Sequence, residues 1–185
     1  QLKEKERALY YGSQIAFVPQ NPMTALDPSR KIGVQMAEFL RLHQSVSKKD
    51  MLCLCEQAII QAGLTDTKRV LNSRPYQLSG GMLQRVLIAL AIAGKARLVI
   101  ADEPTTALDA VHRDQAVEQF LKLREQGCAI LIVTHDFDVA RHMGGHVLIM
   151  KEGRMVERGS AKEVLKNPKA GYTKELIEAI HLGWG

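Results

Sequence analysis

Apolar residues form strand-like runs in some parts of the chain and recur at helical spacing in others. Ile15 to Val18 is an apolar run ended by Pro19, which predicts a short buried strand. From Lys31 to Gly94 the strong apolar patterns have helical spacing, so this stretch predicts a block of helices without strands. Its predicted helices run from Ile32 to His43, from Lys48 to Ala62 and from near Ser79 to Ile92.

The pattern becomes strand-like again after Gly94. Leu98 to Ala101 and Ala129 to Val133 are apolar runs separated by a helical pattern from about Val111 to Gln126. This order predicts two parallel strands joined by a helix. The remaining predicted elements are a hairpin at the sheet edge, with strands from His146 to Met150 and from Arg154 to Glu157, and two short helices near Ala161 to Lys166 and Thr173 to His181.

Composition limits the possible classes of protein. The 185 residues, 46% of them apolar, can bury a core and predict one domain, or one domain with a small subdomain. The net charge of +5 comes from basic residues mixed with acidic ones, which favours a solvated surface over a nucleic-acid-binding face. The longest uncharged apolar run, Val86 to Gly94, is about half of the roughly 20 residues that a membrane-spanning helix needs. No apolar segment follows the charged stretch from Lys3 to Arg7, so no signal peptide is expected.

The three cysteines, Cys53, Cys55 and Cys128, favour free thiols. Cys53 and Cys55 lie two positions apart in a helical pattern, which directs them to different faces and argues against a metal site. Reduced, partly buried thiols of a cytosolic protein are the preferred interpretation.

Polar residues follow three of the predicted strands at the point where each strand ends. Gln20 follows the first strand, Asp102 and Glu103 follow the second, and His135 lies two residues after the third. Because ligands of parallel α/β proteins bind at the carboxyl ends of the strands, these side chains are expected to converge on one cleft.

The apolar run Leu98 to Ala101 followed by Asp102 and Glu103 has the Walker B form. In that form one carboxylate holds Mg²⁺ through its water shell and the next orients a water for attack. Neighbouring side chains diverge, so one pair can serve both roles. An ordinary buried strand that meets an acidic turn gives the same string, so the interpretation depends on its context.

That context is Leu78-Ser-Gly-Gly-Met-Leu-Gln-Arg85, at the predicted start of a helix. Gly80 and Gly81 let backbone N–H groups approach an anion at the positive end of the helix dipole. Ser79 can add a hydroxyl donor and can also cap the helix. A phosphate fits such a site, although the string by itself is equally compatible with a capped turn before an amphipathic helix.

Together these segments resemble the nucleotide-binding subunits of ABC transporters, in order and roughly in spacing, over nearly the whole chain. The motifs that carry the resemblance are Gln20 as the Q-loop glutamine, Leu78 to Gln84 as the signature loop, Leu98 to Glu103 as Walker B, Ala107-Leu-Asp109 as the D-loop, and His135 as the switch histidine. The resemblance implies an α/β fold with a partial P-loop NTPase (RecA-like) parallel-sheet core and an inserted all-helical subdomain. The expected domains are the incomplete core at 1–20 and 95–160, the helical signature subdomain at 21–94 and a C-terminal helical extension at 161–185.

The resemblance also implies roles in ATP hydrolysis. Asp102 would help bind Mg²⁺ and Glu103 would be the general base, while Gln20 would sense the metal and the attacking water. His135 would contact the γ-phosphate, although a capping or solvated histidine is the alternative. The residues expected to contact nucleotide are Ser79, Gly80, Gly81, Met82, Gln84 and Asp109. Those of the signature loop would contact it from the opposite subunit of a head-to-tail dimer. An N-cap of the following helix is the alternative for Asp109.

The implied partners are transmembrane permease subunits, docked near the Q-loop, and a second nucleotide-binding subunit that is either a copy or a homologue. The implied location is the cytoplasmic face of the plasma membrane, as a peripheral protein, with no nucleic-acid partner. Asn21 to Pro28 and the stretch from Asn167 to Leu176 resemble importers of dipeptides, oligopeptides and nickel. Met82 stands where many relatives have Gln, and Gly171 stands where a proline is usual, so the choice between peptide and nickel stays open.

The phosphate loop of such an ATPase, G-x-x-x-x-G-K-[ST], does not occur in the sequence. Gly94-Lys95 is the only Gly-Lys pair, and Ala96 and Ala89 occupy the other two positions that the motif requires. We therefore expect a truncation before Gln1, and we expect the chain alone neither to bind ATP tightly nor to hydrolyse it.

Two other classes remain for comparison. A natural truncated, non-catalytic ABC-like module would bind the transporter or a regulator, and the intact Glu103 and His135 argue mildly against it. The related DNA-repair and chromosome ATPases usually place a long coiled coil between these motifs, whereas Gln20 and Ser79 are only 59 positions apart.

Overall fold

The structure is a computed structural model that describes residues 10–44, 46–106 and 110–182. Its strands are β1 (Ile15–Val18), β2 (Leu98–Asp102), β3 (Ala129–Val133), β4 (His146–Lys151) and β5 (Arg154–Ser160). Its α-helices are α1 (Ile32–His43), α2 (Lys48–Gln61), α3 (Thr67–Asn72), α4 (Gly80–Ala93), α5 (Ala110–Glu125), α6 (Phe137–Met143), α7 (Ala161–Lys166) and α8 (Gly171–Leu182). Short 3₁₀ helices span Pro22–Ala25 and Pro75–Gln77.

The chain divides into two compact units, residues 1–133 and 134–185. In the first unit, β1, β2 and β3 form a parallel sheet in that order. The helices α1 to α4 lie between β1 and β2 in the chain, and α5 lies between β2 and β3. The predicted strands and the strandless helical block are therefore confirmed, whereas the expected division into core, subdomain and extension stays a prediction.

Helix α4 lies at the centre of the first unit because it is apolar on nearly every side. It packs against α1, α2, α5 and β1. Its buried residues are Leu83, Gln84, Val86, Leu87, Ile88, Ala89, Ala91 and Ala93. The signature segment, Leu78 to Gln84, lies at the start of α4 and is thus joined to a helix that packs into the core.

The two faces of the parallel sheet differ in exposure. Val18, Val99 and Ala101 lie on one face and are fully buried. Phe17 and Leu131, on the other face, are 55% and 48% exposed. Parallel sheets are normally covered on both faces, so this face is unusually open for such a sheet.

The second unit consists of a hairpin and three helices. β4 pairs antiparallel with β5 in a two-stranded sheet of their own, with an irregularity between Ile149 and Met150. The predicted hairpin is confirmed. Its expected place at the edge of the parallel sheet is wrong, because β4 and β5 form a separate two-stranded sheet. The carboxylate of Glu157 on β5 accepts the backbone N–H groups of Lys169 and Ala170, at 2.9 and 3.0 Å, directly before α8. This contact ties the last helix to the hairpin.

Local capping decides where several helices begin. Ser79 caps α4, and its Oγ accepts the Met82 backbone N–H at 3.3 Å. Asp136 caps α6, which the apolar pattern did not predict. None of the helices in the part of the chain that the structure describes has both the length and the apolar character needed to cross a bilayer.

Candidate functional site

The carboxyl ends of β1, β2 and β3 bring three of the expected residues to one edge of the sheet. Val18 pairs with Ala101 and Asp102 pairs with Val133, so these strands end side by side. Gln20 leaves β1 at this edge and is exposed. Asp102 is the last residue of β2, and Glu103 follows it directly. Gln20, Asp102 and Glu103 therefore lie at one edge of the sheet, and their expected convergence on one cleft stays a prediction.

A short 3₁₀ helix follows Gln20 and shapes the chain there. The Asn21 side chain caps it by accepting the Met23 backbone N–H at 3.1 Å, and the Thr24 hydroxyl donates to the Asn21 carbonyl oxygen at 2.7 Å. These local bonds leave Gln20 between a strand end and a capped turn. Its backbone is therefore held on both sides while its side chain is exposed.

Glu103 adopts an uncommon backbone conformation, with a φ of 45°. Its backbone N–H donates to the Val133 carbonyl oxygen at 2.8 Å, which extends the β2–β3 pairing by one residue. Its carboxylate accepts the Thr106 hydroxyl at 2.8 Å. A non-glycine residue in the left-handed region costs about 1 kcal/mol or more and persists only where its surroundings hold it. Such positions cluster at functional sites.

The start of α4 presents free backbone donors. Gly80 is exposed, and a Cβ added to it would meet nothing within 4 Å. The first backbone N–H groups of a helix have no partner inside the helix, and here the Ser79 side chain accepts that of Met82. Ser79, Gly80 and Gly81 thus form an accessible helix start whose N–H groups and dipole suit an anionic oxygen.

One turn further along α4, Gln84 is buried and Arg85 is half-buried. Gln84 is 5% exposed, and its Nε2 donates to the Pro104 carbonyl oxygen. Arg85 donates to the Gly63 carbonyl oxygen at 3.2 Å and to Oε1 of Gln115 on α5. The expected nucleotide contact of Gln84 stays a prediction, since the contact that the structure describes is with the turn after Glu103.

Two further expected site residues are Asp109 and His135. Asp109, with the whole stretch 107–109, lies outside the described residues. His135 belongs to the second unit, is exposed, and follows Thr134, whose hydroxyl accepts the Asp136 backbone N–H at 3.0 Å. Asp136 rather than His135 is the cap of α6. The nucleotide roles of His135 and Asp109 stay predictions.

The residues at this edge fit a magnesium ion that takes most of its ligands from phosphate and water. Mg²⁺ is commonly held by one or two protein carboxylates together with substrate phosphates. Asp102 supplies such a carboxylate and Gln20 an amide oxygen at the same sheet edge. Within the described ranges, no group of three or more His, Cys, Asp or Glu side chains forms a metal cage. Asp102 and Gln20 thus supply oxygen donors of the kind that Mg²⁺ prefers.

Reasoning from the sequence missed two contacts that shape this site. The Thr106 hydroxyl binds Glu103, and the buried Gln84 amide binds Pro104. The first contact joins residues only three positions apart in the chain, so their nearness in the sequence could have indicated it. The second contact joins residues 20 positions apart and depends on how α4 packs.

Comparison with known proteins agrees with this geometry. A family model described as ABC transporter matches residues 1–106. The ATP-binding protein CntD of the metal-staphylopine import system of Staphylococcus aureus is 41% identical over 177 residues, which cover 95% of this chain and 65% of the relative. The oligopeptide transport ATP-binding protein OppD of Lactococcus lactis is 40% identical over 91% of this chain and 50% of its own length. The dipeptide transport ATP-binding protein DppD of Escherichia coli is 37% identical over 97% of this chain and 55% of its own length.

Solved structures confirm the expected fold class. The ATP-binding cassette MJ0796, a dimer in a post-hydrolysis state with ADP and Pi, superposes with a TM-score of 0.76 at 29% identity, over 87% of this chain and 68% of that one. The protein cbiO1 from Clostridium perfringens, part of the transporter complex cbiONQ, has a TM-score of 0.77 at 24% identity, over 98% of this chain and 68% of that one, and shows the fold alone. The chain spans between 50% and 65% of the length of the three curated relatives.

Proposed function

The chain belongs to the ABC transporter family, and we propose that it forms part of the ATP-binding and ATP-hydrolysing subunit of an importer of peptides or nickel. The relatives named above are ATP-binding proteins of metal-staphylopine import, oligopeptide transport and dipeptide transport. The single observation that carries the proposal is the strand register that sets Gln20, Asp102 and Glu103 at one edge of the parallel sheet.

Each of these residues has a task that its position supports. Glu103 accepts a proton from the water that attacks the γ-phosphate, and the Thr106 hydroxyl orients its carboxylate. Asp102 and Gln20 would hold Mg²⁺ through its water shell. A metal held there would supply positive charge to the phosphate oxygens. His135 contributes a contact to the γ-phosphate.

ATP hydrolysis in this scheme requires two subunits. The exposed start of α4, with Ser79, Gly80, Gly81 and Met82, contacts the γ-phosphate of ATP held by the opposite subunit, and Asp109 contributes beside it. The dimeric state of MJ0796 supports such an arrangement, since it is a relative of the same family. ATP binding closes the dimer and hydrolysis reopens it, which drives the membrane subunits.

The membrane partners are transmembrane permease subunits, which this chain binds as a peripheral protein at the cytoplasmic face of the plasma membrane. The segment from Asn21 to Ser29 supports a docking role because it follows Gln20 directly and is largely exposed, with Met23 37% exposed. A permease loop bound there would contact the turn that positions Gln20. The effect of substrate binding to the transporter would then be transmitted to the ATP site through this turn.

These residues would hydrolyse ATP when they are joined to a phosphate loop. The 185 residues contain no G-x-x-x-x-G-K-[ST] motif, so we expect the chain alone neither to bind ATP tightly nor to hydrolyse it. The same observation supports the second candidate, a natural non-catalytic ABC-like interaction module. A calorimetric titration of the 185-residue chain with Mg-ATP that shows micromolar affinity would contradict the expected lack of binding.

The decisive experiment places a phosphate-loop segment, with its strand and helix, before Gln1 and measures ATP turnover. Glu103→Gln should lower kcat by about two orders of magnitude or more while leaving ATP binding intact, because it removes the base and keeps the shape. Glu125→Gln, at an exposed position on α5, is the matched control and should leave kcat unchanged. Equal turnover of the Glu103→Gln variant and the unsubstituted protein would reject the role of Glu103.

A further inference from the structure

Gln84 joins the signature helix to the turn that carries Glu103. Its side chain is buried, and its Nε2 donates to the carbonyl oxygen of Pro104, the residue directly after Glu103. A buried carbonyl that loses its donor has no water to replace it, so such a bond strongly prefers one geometry. The position of α4 and the conformation of this turn are therefore linked.

Arg85 makes a second link from the same helical turn. Its guanidinium reaches Gln115, in α5, and also the Gly63 carbonyl oxygen after α2. Gln84 and Arg85 thus bind α4 to the turn after β2 and to α5. A movement of α4 therefore acts on both of these elements.

The turn after β2 is well placed to respond to such a movement. Glu103 has a positive φ, and the Thr106 backbone N–H lies 3.4 Å from its carbonyl oxygen. Thr105 is 4% exposed and Pro104 is also buried, so the turn packs into the protein. Because a strained residue depends on its surroundings, removing one of its supports should change its conformation or mobility.

We propose that Gln84 is a positioning residue that transmits displacement of the signature segment to the Glu103 turn of the same chain. The inference rests on the proposed function, in which Ser79, Gly80 and Gly81 contact ATP of the opposite subunit. Glu103 acts on the ATP of its own subunit. The Gln84–Pro104 bond therefore connects the two ATP sites of a dimer through a single side chain.

Amide hydrogen exchange in the 185-residue chain tests the link without any nucleotide. Gln84→Met keeps the length of the side chain and removes the donor. We expect the protection of the Glu103 and Thr106 amides to fall about tenfold, while amides of α1 keep theirs. Gln57→Met, at an exposed position of α2, is the control and should change neither.

Gln84→Glu adds a second test, the dependence of amide protection on pH. A residue that only fills space would not give such a dependence. A protonated carboxyl group can still donate to the Pro104 carbonyl oxygen, whereas the ionised form repels it. Protection of the Glu103 amide should approach that of the unsubstituted chain at low pH and decrease as the pH rises. Burial shifts this change above the ordinary carboxyl range.

Two results of the exchange experiment would overturn the proposal. One is unchanged protection of Glu103 and Thr106 in both Gln84 variants. The other is a loss of protection spread equally over the first unit, which would show a general contribution to stability and no specific link. Selective loss at the Glu103 turn supports the proposal.

The consequence for hydrolysis is tested in the protein with a phosphate loop placed before Gln1. Gln84→Met should lower kcat about tenfold and leave KM for ATP within twofold. A kcat of the Gln84→Met variant equal to that of the unsubstituted protein would overturn the proposed role of Gln84 in hydrolysis. No turnover in the unsubstituted protein would instead count against the proposed function, and the exchange experiment would still decide the link.

Discussion

Arg30 and Glu38 form a two-point ion pair. Nη1 of Arg30 lies 2.8 Å from Oε2 of Glu38, and Nη2 lies 2.5 Å from Oε1. Arg30 is in the loop after the first 3₁₀ helix and Glu38 is in α1, so the pair anchors the segment that follows Gln20. The hydrogen bonds from Arg30, aided by its charge, hold the pKa of Glu38 below its ordinary value.

This pair predicts a pH-dependent contribution to stability. A carboxyl group whose pKa is lower in the folded chain stabilises it above the unfolded pKa, and the contribution disappears as the pH falls through the folded pKa. Glu38→Gln should therefore lower the free energy of unfolding at pH 7, and the difference should vanish well below the ordinary carboxyl value of 4.5. Urea unfolding measures both, at pH 7 and at a pH low enough that further acidification no longer changes the difference.

The control is the exposed ion pair between Asp138 and Arg141, one turn apart in α6. Nη1 of Arg141 lies 2.5 Å from Oδ1 of Asp138. Asp138→Asn should have little effect at either pH, because exposed pairs on one helix contribute little. Equal stability of the Glu38→Gln variant and the unsubstituted chain at pH 7 would contradict an anchoring role.

The bond between Thr106 and Glu103 predicts a modest and specific loss. Thr106→Val keeps the shape of the side chain and removes the hydroxyl that donates to the Glu103 carboxylate at 2.8 Å. We expect the free energy of unfolding to fall by about 1 kcal/mol. Thr106→Ser retains the donor and should lose less than half of that in the same urea titration. A Ser variant as unstable as the Val variant would argue against the hydrogen bond.

The cysteines should differ in reactivity as they differ in burial. Cys53 is exposed, whereas Cys55 and Cys128 are buried. Burial raises the pKa of Cys55 to about 11 and also raises that of Cys128. Since the thiolate is the reactive form, a thiol reagent at pH 8 should label Cys53 rapidly and the other two only on unfolding. Cys53→Ser should abolish the fast phase, and its survival in that variant would disprove the assignment.

Gly171 offers a stabilising substitution. It is the first residue of α8, lacks a positive φ, and an added Cβ would meet nothing within 4 Å. Proline suits the first position of a helix and restricts the unfolded chain, so Gly171→Pro should stabilise by about 0.4–1 kcal/mol, measured as a rise in Tm. Gly153→Pro is the opposite control, because Gly153 has a φ of 74° that proline cannot adopt. A lower Tm for Gly171→Pro would be inconsistent with this geometry.

The strands and long helices could be predicted because local patterns and caps agree with the final packing. The run from Ile15 to Val18 is ended by Pro19, and Ser79 both precedes and caps α4. Helix α8 begins at Gly171, two residues before the expected Thr173, because Glu157 on β5 accepts the N–H groups that precede the helix. That contact joins distant parts of the chain, and local spacing does not reveal it.

The candidate site shows the same difference. Gln20, Asp102 and Glu103 were predicted because they follow apolar strands, and the register of those strands sets them at one edge. The short helix α6 was missed since its seven residues carry too little periodicity. The Gln84–Pro104 bond was also missed, because Gln84 was expected to contact nucleotide and the bond joins residues 20 positions apart.

The sequence by itself determined the order of elements, the family motifs and the polar residues at the strand ends, since these depend on short-range pattern and chain order. Tertiary structure decided which of those residues meet, the left-handed turn at Glu103 and the inward position of Gln84. These features depend on how α4 packs against the sheet and α5. Burial leaves a polar group only the partners that packing brings to it, and that choice is made over distances that no local pattern spans.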